Sequence, residues 1–342
     1  MAKFGVMVKP SAYQKMVEHA TLADRLGFDS VWVPDHVILE NFKSISLEAW
    51  SLLSTLAVQT RNVTLGTSVT DPYRRHPAVL AQTVATLDQI SGGRAILGLG
   101  AGEAMNVDPF GIPWDKRVTR MKETVEVLRR LWTGEIIDYD VEIFKLSKAF
   151  IQVPLVQKPS IPVYLAANSP KTRRLVGVCA DGWLAEMMSP NRYMGDIKEV
   201  EDAARKAGRS ASQIDVVCVV TTALSDDYDE AKAAALVQAK RRFLWWPKQL
   251  QQYGYTVTEE FDWNRLTVGR ETSERIRRHI PEVPDEPCED VTIFGTPEDC
   301  TEKIEKYLKS GVTHFEFEIV TPYNETCALL ASKVMPYFSE CT

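Results

Sequence analysis

The chain has 342 residues, of which 45% are hydrophobic, and it carries a formal net charge of −6 at pH 7. This length can bury a large core, either in one barrel with insertions or in two ordinary domains. The acidic balance argues against nucleic acid as the main partner, because no basic surplus exists to replace counterions. The apolar runs are shorter than the roughly eighteen residues that a membrane span needs, so we expect no membrane segment.

Cysteine usage indicates a reducing compartment. The six cysteines form neither a CxxC pair nor a metal-ligand spacing; they are Cys179, Cys218, Cys288, Cys300, Cys327 and Cys341. We interpret them as reduced thiols and expect no metal site. The first residues, MAKFGVMVKP, run directly into a strand-like pattern without the layout of a signal peptide. We therefore expect a cytoplasmic protein.

The first 132 residues alternate between short apolar runs and segments with helical spacing. The runs predict strands at residues 3–8, 30–33, 63–66 and from residue 95 onward. The segments between them predict helices at residues 12–26, 47–60, 77–90 and 116–132. Gly27 is placed to cap the end of the first helix, and Pro77 begins the third, where a missing N–H costs little. This alternation indicates parallel strands joined by right-handed crossovers.

Two segments interrupt this rhythm in the rest of the chain. Residues 138–153 resemble a hairpin or extended insertion, and residues 243–290 form a second insertion that is rich in Trp and Tyr. Around them we predict strands at residues 162–166, 182–185, 215–222 and 313–319, and helices at residues 170–180, 193–207, 229–242, 297–309 and 325–338. The total is close to eight β/α units. We predict an α/β fold, a single (β/α)8 TIM-barrel domain over residues 1–342 with these insertions; a doubly wound sheet is the alternative.

Residues that could carry chemistry follow two of the predicted strands. Asp35 and His36 follow the second strand, and Glu103 and Asn106 follow the fourth, within the glycine-rich stretch AILGLGAGEAMN. In a (β/α)8 barrel the active site lies at the C-terminal ends of the strands. Histidine can shuttle a proton near neutral pH, and Asp35 could fix its tautomer or simply cap the loop. Glu103 is either a catalytic acid or a solvated residue of a glycine-rich turn.

The stretch after the fifth strand is a candidate anion site. Asn168, Ser169, Lys171 and Thr172 lie where the next helix begins. Free N–H groups and the helix dipole make such an end attractive to anions. An ordinary N-cap formed by Asn168 or Ser169 is an equally good interpretation.

The remaining basic and imidazole groups are less specific. Arg74 and Arg75, with His76, could neutralise a polyanionic ligand or lie in a solvated loop. His19 and His279 lie in helical patterns and His314 at a strand start, so we predict structural roles for these three.

Together, the motifs FDSVWVPDH and LGTSVTDPYRRHPAVLAQTVATLDQISGGRAILGLGAGEAMN, with the spacing between them, resemble the bacterial luciferase-like superfamily. Within it they look like the branch that uses the 8-hydroxy-5-deazaflavin coenzyme F420. That branch includes F420-dependent secondary alcohol dehydrogenase, F420-dependent glucose-6-phosphate dehydrogenase and methylenetetrahydromethanopterin reductase. The resemblance runs over essentially the whole chain. It implies an interrupted (β/α)8 barrel and, since members are often dimers, a homodimer or higher homo-oligomer.

The resemblance also implies roles for individual residues. Asp35 and His36 match the catalytic pair of the dehydrogenases, and Glu103 matches the acid of their GxGEAxN motif. The Ser68–Val69 bond matches a non-prolyl cis peptide behind the deazaflavin ring, and the loop from Asn168 to Thr172 matches the segment that binds the coenzyme's phosphate tail. The coenzyme contacts implied in this way are Thr67, Ser68, Val69, Asn106, Ala166, Ala167, Asn168, Ser169, Lys171 and Thr172.

The resemblance implies hydride transfer between F420 and a small organic substrate, which is an alcohol or carbonyl, or a methylene-tetrahydropterin. With an alcohol, His36 would remove the hydroxyl proton, Asp35 would orient the imidazole, and Glu103 would supply or relay a proton. Two departures leave the substrate open: Glu40 stands where the dehydrogenases carry Trp, and GAGE stands at residues 100–103 where the reductase carries GPGD. An FMN-dependent luciferase-like monooxygenase is the alternative, and a non-enzymatic deazaflavin or flavin carrier is a third possibility.

Overall fold

The computed structural model describes residues 2–39, 44–259, 261 and 268–339. Its strands are β1 (Lys3–Met7), β2 (Ser30–Val33), β3 (Thr64–Thr67), β4 (Ala95–Leu99), β5 (Ile137–Asp140), β6 (Lys145–Ala149), β7 (Val163–Ala166), β8 (Gly182–Glu186), β9 (Asp215–Leu224), β10 (Ile293–Gly295) and β11 (His314–Ile319). Its α-helices are α1 (Tyr13–Leu26), α2 (Ala49–Gln59), α3 (Pro77–Ser91), α4 (Ala104–Val107), α5 (Arg117–Leu131), α6 (Pro170–Cys179), α7 (Pro190–Lys206), α8 (Tyr228–Trp245), α9 (Pro247–Gln251), α10 (Arg270–His279), α11 (Asp285–Asp290), α12 (Pro297–Lys309), α13 (Tyr323–Leu329) and α14 (Met335–Ser339).

Eight strands form a closed parallel barrel in the order β1-β2-β3-β4-β7-β8-β9-β11. The ring closes because β11 pairs with β1, with Lys3 opposite His314. The short strand β10 pairs outside this ring with the far end of β9, where Gly295 lies opposite Leu224. The prediction of a (β/α)8 barrel is therefore confirmed, and the doubly wound sheet is excluded.

The barrel strands present alternate side chains to two separate cores. One set points inward and includes Trp32, Ile96, Tyr164, Leu184 and Val217, which pack together inside the barrel. The other set packs against the surrounding helices; on β11 it consists of Phe315 and Phe317, whose rings stack at 5.7 Å. The β11 residues that alternate with these two are His314, Glu316 and Glu318. This two-residue alternation sends an imidazole and two carboxyl groups into the barrel.

Both predicted insertions contain regular structure. Residues 138–153 include most of the antiparallel hairpin of β5 and β6. The segment from residue 243 to 290 is more helical than its composition suggested, because α8 continues to Trp245 and is followed by α9, α10 and α11. Trp263 lies outside the described residues. The final helix predicted over residues 325–338 is divided in the structure by a π-helical turn at Leu330–Val334.

Candidate active site

A cavity of about 600 Å³ opens at the C-terminal ends of the barrel strands. A second cavity of about 360 Å³ adjoins it, and the two share the lining residues His36, Val69, Glu103, Ala166, Asn168, Glu186 and Trp246. The smaller cavity extends to the start of α6. The cavities therefore form two lobes around one shared wall, at the end of the barrel where the sequence predicts the active site.

His36 and Glu103 face each other on the shared wall. The Nε2 atom of His36 lies 3.5 Å from Oε2 of Glu103, and the two side chains are 19% and 27% exposed. The other ring nitrogen of His36, Nδ1, is buried and has no hydrogen-bond partner among the described residues. An imidazole beside a carboxylate in a partly enclosed cavity can take a proton from a ligand and pass it on.

Asn106 joins the two loops that carry this pair. Its Oδ1 atom accepts hydrogen bonds from the backbone N–H groups of Val37 and Ile38, at 2.8 and 2.9 Å. Its Nδ2 group donates to Oε2 of Glu103 at 3.2 Å. The side chain is only 3% exposed. Asn106, which the resemblance assigned to coenzyme binding, thus also fixes the position of Glu103 relative to the backbone that follows His36.

Asp35 does not orient the imidazole of His36, contrary to the expectation from sequence. Its buried carboxylate accepts a hydrogen bond from the Thr70 hydroxyl at 2.6 Å and is paired with Arg75 at 2.6 Å and with Arg74 at 3.2 Å. These partners come from the loop between β3 and α3, which packs beneath the loop that carries Asp35. The carboxylate therefore ties two loops together.

Arg74 and Arg75 are both paired with the carboxylate of Asp35. Arg74 also pairs with Asp71, and Arg75 also pairs with Glu48. The two arginines therefore form ion pairs and do not lie in a solvated loop, and Arg74 also lines the smaller cavity.

The glycines of β4 and the loop after it permit a close approach within the protein. A Cβ atom on Gly98 would lie 1.9 Å from the Thr67 carbonyl oxygen, and one on Gly100 would lie 2.4 Å from Cγ2 of Val69. Neither position has room for a side chain. The peptide bond between Ser68 and Val69 is cis. The glycines thus let β4 pack tightly against the Ser68–Val69 segment, which lines the larger cavity.

The residues that the resemblance assigned to the coenzyme divide into two groups. Seven of them line one or both cavities: Ser68, Val69, Asn106, Ala166, Asn168, Ser169 and Thr172. Three do not. The Thr67 hydroxyl is buried and donates to the Gly98 carbonyl, Ala167 is 1% exposed and its carbonyl accepts from the Trp183 indole, and Lys171 is exposed outside both cavities.

The start of α6 forms its own cap. Ser169 Oγ accepts a hydrogen bond from the Thr172 N–H, and Thr172 Oγ1 accepts one from the Ser169 N–H, which makes a reciprocal capping box. The N-cap interpretation is therefore correct. The same residues face the smaller cavity, so the helix terminus also remains next to a space that a ligand can enter.

Five charged residues of the larger cavity were not predicted from sequence: Lys9, Glu186, Arg241, Arg242 and Glu318. Arg242 is paired with Glu186 and, at 2.8 Å, with Glu318. Burial acts to raise the pKa of Glu318, but Arg242 together with hydrogen bonds from Thr221 and Gln238 lowers that pKa below its ordinary value. The sequence does contain one indication of this wall, since the acids of HFEFEI recur at every second residue and so share one face of β11.

Glu316 precedes Glu318 by two residues on β11, so it lies on the same face of the strand and deeper in the barrel. It is fully buried, and neither carboxyl oxygen has a hydrogen-bond partner among the described residues. Burial raises its pKa well above the ordinary value, with nearby Glu186 and Glu318 acting in the same direction. The buried Glu316 carboxyl group therefore keeps its proton to a higher pH than an exposed glutamate does.

The remaining predictions concern groups away from the cavity. His314 is buried and hydrogen-bonds the Ser30 hydroxyl at 2.8 Å, and His19 stacks on Tyr323. His279 contacts Glu259 and Glu282. Within the described ranges, no cluster of His, Cys, Asp and Glu could hold a metal ion. No helix in that part of the chain is long and apolar enough to cross a membrane.

The protein is a closed parallel (β/α)8 barrel with ionisable groups at its C-terminal mouth, which is where proteins of this class have their active sites. The chain belongs to the luciferase-like monooxygenase family, whose model matches residues 1–314.

Curated relatives include a 5,10-methylenetetrahydromethanopterin reductase from Archaeoglobus fulgidus, 34% identical over 91% of each chain. Another is an F420-dependent glucose-6-phosphate dehydrogenase from Microbacterium testaceum, 30% identical over 89% of this chain and 86% of the relative. Among solved structures, the F420-dependent tetrahydromethanopterin reductase from Methanopyrus kandleri superposes with a TM-score of 0.84 at 26% identity, covering 98% of this chain and 99% of that one. An F420-dependent secondary alcohol dehydrogenase in complex with an F420-acetone adduct gives a TM-score of 0.82 at 26% identity, covering 98% of each chain.

Proposed function

We propose that this protein is an F420-dependent oxidoreductase that transfers a hydride between C5 of the deazaflavin and a small organic substrate. The substrate is an alcohol or carbonyl, or a methylene-tetrahydropterin. One observation carries the proposal: the facing His36 and Glu103 side chains stand on the wall shared by two cavity lobes. The relatives named for F420 support the choice of cofactor.

The two-lobed cavity fits a cofactor with a flat ring and a phosphate-bearing tail. Ser68, Val69 and Ala166 supply a wall of small and apolar groups for the ring. Asn168 and the start of α6 supply polar groups for the tail, beside the positive end of a helix dipole. Nδ1 of His36 has no hydrogen-bond partner among the described residues, which supports a site that a ligand group completes.

When bound, F420 supplies a carbon that accepts or donates hydride. Residues of the chain accept or donate the proton. With an alcohol, His36 takes the hydroxyl proton and Glu103, 3.5 Å away, receives it or balances the charge on the imidazole. With a methylene-tetrahydropterin, no base is needed on carbon, and Glu103 or His36 orients or protonates a pterin nitrogen. Asn106 keeps Glu103 in place throughout.

Cofactor titration and turnover test this proposal directly. The purified protein should bind F420 with micromolar affinity or better, and it should change the visible absorbance of F420 when given secondary alcohols, aldehydes or methylenetetrahydromethanopterin. It should consume no oxygen. Tight FMN binding with NADH-linked oxygen uptake would instead support the monooxygenase. F420 binding without turnover on the whole panel would support a carrier.

A further inference from the structure

Two cations line the larger cavity and form no ion pair with a carboxylate in the part of the chain that the structure describes. Lys9 follows β1, and Arg241 lies on α8; both line the 600 Å³ lobe together with His36 and Glu103. Neither lines the smaller lobe, which extends to the start of α6. The two basic groups therefore belong to the part of the cavity that lies away from the proposed phosphate end of the cofactor.

Other charged residues of the same cavity do form ion pairs. Arg242, the next residue along α8, is paired with both Glu186 and Glu318. Arg241 is half-buried, and its guanidinium donates a hydrogen bond to the side-chain amide oxygen of Gln238 at 3.5 Å. Gln238 in turn donates its amide to Glu318 at 3.2 Å, which fixes the amide so that its oxygen faces Arg241.

Cations that line a cavity and form no ion pair among the described residues can bind an anionic ligand. Glu186 and Glu318 both pair with Arg242, and the described part of the chain shows no salt bridge from either of them to Lys9 or Arg241. The guanidinium of Arg241 can hold two oxygens of a carboxylate or phosphate at once, and the ammonium of Lys9 adds a flexible point charge. The volume of about 600 Å³ has room for an organic ligand beside the wall that Ser68, Val69 and Ala166 supply for the ring.

We infer that the larger lobe is a substrate chamber with a subsite for a carboxylate or phosphate group, held by Arg241 and Lys9 while the reacting carbon faces His36 and Glu103. This inference rests on the proposed function, because hydride transfer at His36 and Glu103 is what makes the chamber a substrate chamber. The substrate is therefore an organic anion and not an uncharged small alcohol.

Calorimetric titration of the full chain with inorganic phosphate and with succinate tests the subsite. Arg241→Met and Lys9→Met should each weaken binding of at least one probe by about tenfold or more, because each removes a charged hydrogen-bond donor. Arg241→Lys should retain part of the affinity that Arg241→Met loses. Lys248→Met removes the same charge from an exposed position on α9 outside both cavities and should leave both affinities unchanged. Equal affinities in the wild type and in Arg241→Met would overturn the subsite.

A second titration identifies the source of the anion. With F420 at saturation, phosphate or succinate should still bind, and Arg241→Met should bind F420 as the wild type does. If F420 displaces the probes and Arg241→Met loses F420 affinity, the cations hold the cofactor's own anionic tail, and the substrate assignment is wrong. F420 binding is followed separately by its absorbance. Probe binding at Arg241 in a protein that binds no F420 would therefore refute the proposed function while supporting the anion subsite.

Discussion

Asn106 holds Glu103 in place by donating from its Nδ2 group to the Oε2 atom of the carboxylate at 3.2 Å. The same carboxylate oxygen lies 3.5 Å from the imidazole of His36. The Oδ1 atom of the Asn106 amide accepts hydrogen bonds from the backbone N–H groups of Val37 and Ile38, the two residues that follow His36. One buried amide thus sets both halves of the candidate proton-transfer pair, which come from loops after different strands.

Replacing Asn106 should separate these two tasks. Asn106→Ala removes both sets of hydrogen bonds and should lower kcat and thermal stability together. Asn106→Asp keeps an acceptor for Val37 and Ile38 but places a second carboxylate against Glu103, so kcat should fall while the melting temperature stays closer to that of the wild type. Steady-state kinetics and thermal unfolding of the two variants test this. An Asn106→Ala variant with unchanged kcat would show that the amide does not position Glu103.

His36 should be essential for turnover but not for cofactor binding. His36→Asn keeps a polar side chain of similar size and removes the proton-accepting imidazole, so kcat for alcohol oxidation should fall by roughly a hundredfold or more. The dissociation constant for F420 should change far less. His279→Asn on α10 replaces a histidine outside both cavities and serves as the matched control. Unimpaired alcohol oxidation by His36→Asn would rule out its role as the base.

Gly100 should not tolerate a methyl group. A Cβ atom at this position would lie 2.4 Å from Cγ2 of Val69, so Gly100→Ala must displace the wall of the larger cavity at a cost of about 1–3 kcal/mol in the free energy of unfolding. F420 affinity should fall as well. Gly195→Ala is the control, because Gly195 lies in α7 with open space around its Cβ position. Urea unfolding should show Gly195→Ala to be as stable as the wild type or more so.

Glu316 should make the protein less stable as the pH rises. Burial raises its pKa well above the ordinary value in the folded state, so the folded chain retains a proton that the unfolded chain releases above about pH 4.5. The stability that this group contributes is fully present below that pH and is lost progressively as the pH rises toward the folded-state pKa. The charged groups that face Glu316 are Glu186, Glu318 and Arg242.

Glu316→Gln should therefore raise the free energy of unfolding at pH 8 relative to the wild type by more than it does at pH 5. The amide matches the shape of the neutral acid and does not ionise. Urea unfolding at the two pH values measures the difference, with the exposed Glu302→Gln on α12 as a control for the loss of a carboxylate. The same difference between wild type and Glu316→Gln at both pH values would contradict a raised pKa for Glu316.

The homo-oligomeric state and the cytoplasmic location remain predictions from sequence. Sedimentation of the purified chain would test the first.

The barrel could be predicted from sequence because its evidence is local. Apolar strands such as Ser30–Val33, with helical patterns between them, specify each β/α unit, and the closed ring follows from the number of units. The placement of His36 and Glu103 could be predicted for the same reason, since both follow the end of a predicted strand and all parallel strands end at the same side of the barrel.

The partners of these residues could be decided only by the tertiary structure. Asp35 stands next to His36 in sequence, yet its carboxylate pairs with Arg75, 40 residues away. Arg242 reaches Glu186 and Glu318 across 56 and 76 residues. Sequence periodicity fixes which face of a strand or helix a residue occupies, but the side chain it meets depends on how distant elements pack when the ring closes. The sequence thus determined the barrel and the end at which its chemistry lies, whereas the folded structure decided which charges are paired and placed Lys9 and Arg241 on the cavity wall with no carboxylate partner among the described residues.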